Sequence, residues 1–99
     1  MSKKPRLLLP AEQEMYAAAR YDELQAPGLG HDFLEKIKLA LKDISASPER
    51  WPIVRDNIRR RLIHRFPFSL LYKVDTDEII VVAVMHQKRH PAYWLPRRD

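Results

Sequence analysis

Two stretches decide the fold: Ile58-Arg59-Arg60-Arg61-Leu62-Ile63-His64-Arg65-Phe66-Pro67-Phe68-Ser69-Leu70-Leu71-Tyr72-Lys73-Val74 and, after a short break, Ile79-Ile80-Val81-Val82-Ala83-Val84-Met85. From Ile58 the apolar period is two. Ile58, Leu62 and Phe66 alternate with Arg59, Arg61 and Arg65, while Arg60 and His64 interrupt the pattern. A period of two is that of a strand with one buried face. Phe66-Pro67 punctuates, and Phe68 to Val74 reads as a second strand. Asp75-Thr76-Asp77-Glu78 has the composition of a turn. Ile79 to Met85 is apolar at every position, as expected of an interior strand covered on both faces.

Upstream the period changes to that of a helix. Leu29, Phe33, Ile37, Leu41 and Ile44 recur every three or four residues, with Glu35, Lys36, Lys38 and Lys42 between them. This helix should end near Ala46, because Pro48 comes next but one. An earlier helix is expected from about Ala11 to Leu24. Pro10 suits its first turn, Glu12 and Glu14 suit the positive end of its dipole, and Ala11, Met15, Ala18 and Tyr21 lie on one side. Gln25 to Gly30 contains Pro27 and the chain's only two glycines, and joins the two into a helical hairpin. Arg6 to Leu9 reads as a short first strand, and Glu49 to Asn57 as a loop. The expected architecture is α+β: one domain over 1–99, in the order β-α-α-β-β-β, with the helical hairpin packed on a small antiparallel sheet.

The chain has 99 residues and no cysteine, which excludes disulfides, thiolate metal sites and a catalytic thiol. No apolar run approaches the roughly 20 residues of a membrane span. Leu7-Leu8-Leu9 is too short for the core of a signal peptide, so a cytoplasmic location without membrane contact is expected. The net charge of +5 is carried by one half. Residues 1–50 hold 8 basic and 8 acidic side chains, and residues 51–99 hold 10 and 5. Such an asymmetry favours anionic partners, although a solvated, aggregation-resistant strand face has the same composition.

Several side chains invite chemistry. Arg59, Arg60, Arg61 and Arg65 could hold phosphate or carboxylate groups on a sheet face, since guanidinium binds both bidentately and never loses its charge. Lys88, Arg89, Tyr93, Trp94 and Arg97 add cations and stacking rings after the last strand. His86, at the end of a core strand, is either a proton-transfer group or a ring bonded to backbone that locks the C-terminal tail. His86 and His90 stand four apart, but Pro91 argues against a helix and no third ligand is evident, so no metal or other cofactor is expected. Gly28-Leu29-Gly30 does not follow a strand and lacks a third glycine, which excludes a dinucleotide loop.

Taken in order, several words resemble the RelE/ParE superfamily of bacterial toxins, also known as plasmid stabilisation proteins. They are Pro27-Gly28-Leu29-Gly30-His31-Asp32-Phe33, Pro48 with Trp51-Pro52, Ile58 to Phe68, Leu71-Tyr72-Lys73-Val74, and Val84-Met85-His86-Gln87-Lys88-Arg89-His90-Pro91-Ala92-Tyr93-Trp94. The resemblance runs over nearly all of the chain from Pro10. It implies a microbial-ribonuclease-like α+β fold and a cognate antitoxin that wraps and neutralises the toxin in a hetero-oligomer. The antitoxin would engage the helical hairpin, through Met15, Ala18, Phe33 and Ile37, and an open sheet edge. RelE-like members cut messenger RNA in the ribosome with a basic, tyrosine-bearing set on the sheet; ParE-like members lack that set and inhibit DNA gyrase. Matched to the RelE-like pattern, Arg60 takes one cationic position, Leu62 the next, and Ser69 stands where arginine is expected. Gln87 or Lys88 falls near another, and Tyr93 matches the tyrosine. A one-residue bulge would bring Arg59 and Arg61 into place instead. The words after Met85 are closer to the ParE-like side. The expected function is therefore a type II toxin that inhibits growth by binding a target such as DNA gyrase. One alternative is a ribosome-dependent mRNA endoribonuclease, with Arg60 or Arg61, Lys88 and Arg89 on the scissile phosphate and His86 or Tyr93 in proton transfer. The other is an inactive antitoxin-binding module.

Overall fold

The computed structural model describes residues 3–90 and 92–97. The elements are β1 (Pro5–Leu7), α1 (Leu9–Gln25), α2 (Leu29–Ala46), β2 (Ile53–Arg55), β3 (Ile58–Leu62), β4 (Phe68–Val74) and β5 (Ile79–His86). Both helices and the last two strands lie within a residue or two of their expected bounds. Pro10 sits in the first turn of α1, where a missing N–H costs nothing.

The turn of the hairpin is built around Gly28, which takes φ 86° immediately before α2. Glu23, from the last turn of α1, then caps α2. Its carboxylate accepts the backbone N–H of Gly28 at 2.9 Å and of Gly30 at 3.0 Å. These hydrogen bonds hold the Glu23 carboxyl below its ordinary pKa. Gly30 allows the helices to approach closely, since a Cβ there would lie 2.4 Å from the Ala19 carbonyl oxygen.

The five strands form one sheet in the order β1-β5-β4-β3-β2. The α+β fold with its helical hairpin is as expected, with two refinements. The sheet is mixed, because β1 runs parallel to β5 while the other pairs are antiparallel. A fifth strand, β2, occupies the stretch expected to be loop. It is only three residues long and exposed throughout, so it leaves no alternation to detect, and it turns into β3 through Asp56 at φ 51°.

β3 is also shorter than expected. It stops at Leu62, and Arg65 takes φ 72° in the turn that comes after it. Leu62 is consequently 51% exposed, not a core residue. Ile63 enters the core instead, and Phe66 meets Phe33 edge-on at 5.2 Å.

The sheet divides the apolar interior in two. Leu70, Tyr72, Ile79, Val81 and Val84 pack with Phe33, Ile37, Ala40 and Ile44 of α2 and with Ala11, Ala18 and Ala19 of α1. On the face away from the helices, Ile58, Leu71, Ile80, Ala83 and Met85 pack with Leu8 and Trp94. β5 carries a bulge: Leu71 pairs with Ala83 and Tyr72 with Val81, so Val82 has no partner on β4 and joins the second cluster.

Candidate functional site

β3 splits the arginine run between the two faces. Arg59 and Arg61 turn toward the helices, and both are committed. Arg59 donates to the carbonyls of Glu49 at 3.0 Å and Trp51 at 2.7 Å. Arg61 pairs with Asp43 of α2 at 2.8 Å, donates to the Leu62 carbonyl, and stacks over the Trp51 ring at 5.2 Å. Beside them the Tyr72 hydroxyl donates to the Pro48 carbonyl at 2.6 Å, and burial raises its pKa. This is a structural girdle tying the 48–52 loop to the sheet. Arg65 lies in the β3–β4 turn and Lys88 in the turn after β5, both exposed.

Arg60 faces the opposite way, across from Leu71. With Arg55, His90 and Trp94 it rims a cleft of about 250 Å³ on the helix-free face, floored by Leu71 and Met85. The positions that flank Arg60 on this face are held by Leu62 and Ser69, paired across β3 and β4. The bulge lies in β5, not β3, so Arg59 and Arg61 do not reach this face.

His86 lies on the helix side, where its ring meets Phe68 edge-on at 4.9 Å. With Glu14, Ala18, Phe68, Arg89 and Tyr93 it lines a second cleft, of about 260 Å³. Its Nδ1 accepts the Lys88 N–H at 3.0 Å, and the Nδ1 of His90 accepts the Ala92 N–H at 3.2 Å. Each histidine thus fixes the turn on its C-terminal side.

Tyr93 and Arg97 converge on Glu14. The Arg97 guanidinium donates to both oxygens of Glu14, at 2.8 and 2.9 Å, and to the Val82 carbonyl at 2.9 Å. The Tyr93 hydroxyl donates to Glu14 at 2.7 Å, and the Val84 N–H completes the set at 3.0 Å. Arg89 and Arg97 lie 4.1 and 4.9 Å from the centre of the Tyr93 ring. Burial works to raise the Glu14 pKa, but the hydrogen bonds from Arg97, Tyr93 and Val84 outweigh it and leave the carboxyl below its ordinary value. Burial and then the Glu14 carboxylate push the Tyr93 phenol far above its ordinary pKa of 10.0. A phenol so held is a poor proton donor or acceptor near neutrality. Glu14 is the member of this constellation that sequence reasoning missed, since nothing in a first-turn acid announces a partner 83 positions away.

The expected catalytic set is therefore dispersed. Arg60 is on one face, His86, Arg89 and Tyr93 are on the other side of the sheet, and Arg61 is tied to α2. The hairpin residues expected to meet an antitoxin need correction too. Phe33, Ile37 and Ala18 are buried in the chain's own core, and Met15 packs against it. They hold the hairpin on the sheet. Leu9, Tyr16, Tyr21, Leu24 and Leu39 are the hairpin's exposed large apolar residues.

The sequence profile described as the ParE toxin of type II toxin–antitoxin system, parDE, matches residues 6–91. The chain belongs to the ParE toxin family. Solved structures agree on the fold of this toxin. The chromosomal ParDE system from P. aeruginosa superposes with a TM-score of 0.76 at 16% identity, covering 86% of this chain and 96% of that one. The toxin–antitoxin complex RelBE2 from Mycobacterium tuberculosis gives 0.57 at 18% identity, covering 87% and 92%. No curated protein matches the toxin in sequence. No helix among the described residues is long and apolar enough to cross a membrane.

Proposed function

We propose that this ParE-family toxin arrests growth by binding a cellular target protein such as DNA gyrase, and that a cognate antitoxin neutralises it by direct association. The observation that carries this reading is the composition of the helix-free sheet face. Arg60 stands there beside the Leu62–Ser69 pair, while Arg59, Arg61, Tyr93 and Arg97 are held in contacts within the chain and Arg65 and Lys88 lie exposed in turns. Cleavage of a phosphodiester needs cations on the phosphate together with groups that move protons. A surface whose cations, Arg55 and Arg60, stand over an apolar floor of Leu71 and Met85 suits a protein contact better. The same surface fits the basic half of the sequence to an anionic partner.

The test is induced expression in a bacterial host without antitoxin, with mapping of messenger ends and chromosome breaks. DNA damage with intact messages is the expected outcome. Cut messages with intact DNA would instead establish the endoribonuclease activity and sink the proposal. Normal growth with soluble protein confirmed would leave an inactive antitoxin-binding module.

A further inference from the structure

Most arginines near the sheet are committed. Arg59 and Arg61 hold loop carbonyls and Asp43, Arg97 holds Glu14, and Arg6 pairs with Glu78. Arg55 and Arg60 differ. Among the described residues neither side chain has an ion pair or a hydrogen bond, both are exposed, and both rim the same cleft on the helix-free face. His90 joins them there. Its Nδ1 is occupied as an acceptor, so the neutral ring carries its proton on Nε2 and is a donor at that nitrogen. Trp94, 4% exposed, lines the cleft as well, and its indole Nε1 is buried without an acceptor.

The cleft therefore offers two guanidinium groups and an imidazole N–H beside the Trp94 ring, and no acidic side chain lines it. All of its polar character asks for an acceptor. Its floor is apolar, formed by Leu71 and Met85, and beside it the β2 edge exposes Val54 (46%). A phosphodiester backbone has no use for such a floor, and about 250 Å³ accommodates one or two side chains, not a strand of nucleotides.

We infer that this cleft binds a carboxylate side chain presented between apolar residues on a protein partner, with Arg55 and Arg60 on the carboxylate and the indole of Trp94 beneath it. The inference deepens the target-binding reading and rests on it for the class of partner. Charge complementarity selects the acidic segment. The apolar floor, continuous with Val54, selects its neighbours.

The test is an NMR titration of the isotopically labelled full chain, monitoring the two tryptophan indole resonances. The probe is acetyl-Leu-Glu-Leu-Glu-Leu-amide. The same peptide with glutamine for glutamate and a hexauridylate serve as rivals. The Trp94 indole signal should move and saturate with the glutamate peptide, while that of Trp51, on the other face, stays. Arg60→Gln and Arg55→Gln should each weaken binding about tenfold, the usual worth of a charge-assisted hydrogen bond. Both side chains are exposed and unpartnered, so these variants keep the fold. A Trp94 signal that ignores the peptide, equal binding of the glutamine peptide, unchanged affinity in Arg60→Gln, or tighter binding of hexauridylate would each overturn the inference. The experiment reads binding without growth. A chain that binds the peptide yet cuts messages on induction would sink the target-binding reading and leave the ligand of the cleft standing. A poison that spares messages but ignores the peptide would sink only the cleft.

Discussion

Replacing Glu14 by glutamine should destabilise the protein more than any other single exposed-to-half-buried polar change. Glu14 and Arg97 are only 19% and 17% exposed as side chains, and one carboxylate satisfies Arg97, the Tyr93 hydroxyl and the Val84 N–H together. Breaking a fully buried pair costs about 3–5 kcal/mol. Partial exposure of this one, and the amide's ability to keep one acceptor oxygen, reduce that to about 2–3 kcal/mol. At about 4–8 °C per kcal/mol for a domain of this size, the melting temperature should fall by about 10–20 °C. The assay is thermal and urea unfolding of Glu14→Gln, Arg97→Met and the double variant. Because all three groups share one carboxylate, the double variant should be more stable than the sum of the singles implies, by about 1 kcal/mol or more. The carboxyl's pKa is depressed in the folded state, so its stabilisation is fully present above the ordinary value of 4.5 and is lost as pH falls through the lower folded value. Glu14→Gln should flatten that acid limb. A melting temperature within about two or three degrees of the parent, or strictly additive single effects, would refute the account of Glu14 as the anchor.

Other changes are expected from single observations. Asp22 has one oxygen buried without a donor, and burial raises its pKa above the ordinary 3.8. Asp22→Asn should therefore stabilise the protein at neutral pH by about 0.5 kcal/mol after allowing for solvent screening, and the parent should close the gap as pH falls through the raised value. Equal stability of the two at all pH values would count against this. Gly30→Ala places a methyl group 2.4 Å from the Ala19 carbonyl oxygen. It should cost about 2–3 kcal/mol in urea unfolding by forcing the helices apart. Phe33→Ala removes a fully buried ring that meets both Phe66 and Phe68 at 5.2 Å. The expected loss is about 3–5 kcal/mol, and a loss under about 1 kcal/mol would mean that the ring is not central to the core.

What could be read from the sequence was what periodicity encodes. The α2 stripe of Phe33, Ile37 and Ile44 and the unbroken apolar run of β5 left little freedom, because each pattern fits one element and one kind of neighbour. β2 was hidden because a short edge strand exposed throughout has no buried face. The parallel partner of β5 was legible only as a short first strand in a sheet expected to be antiparallel, since three residues carry no sign of direction. The site was far less legible than the fold. Three adjacent arginines look alike as letters, yet the pleat sends Arg60 to one side and Arg59 and Arg61 to the other, and only the register with Leu70, Leu71 and Tyr72 decides which. The residues expected to meet an antitoxin are buried in the core or packed against it for a similar reason. The best helical period marks what the chain buries for itself, so Phe33 and Ile37 were the residues least free to meet a partner.

β1 pairs with β5 only as far as Val81, so among the described residues no strand lies beside β5 on that side from Val82 onward. The Val82 carbonyl and the Val84 N–H there are met by Arg97 and Glu14, two charged side chains standing in for a missing strand. An edge blocked by charge resists pairing with another copy. Cutting the chain before Tyr93 would remove Arg97 and also Trp94, which roofs the second apolar cluster. The truncated protein would present a bare strand edge beside an uncovered hydrophobic patch, a surface built to aggregate. Loss of toxicity on such a truncation would therefore report insolubility as readily as a lost target contact. Point changes at Arg55 and Arg60, which leave that seal in place, are the informative way to map what this toxin holds.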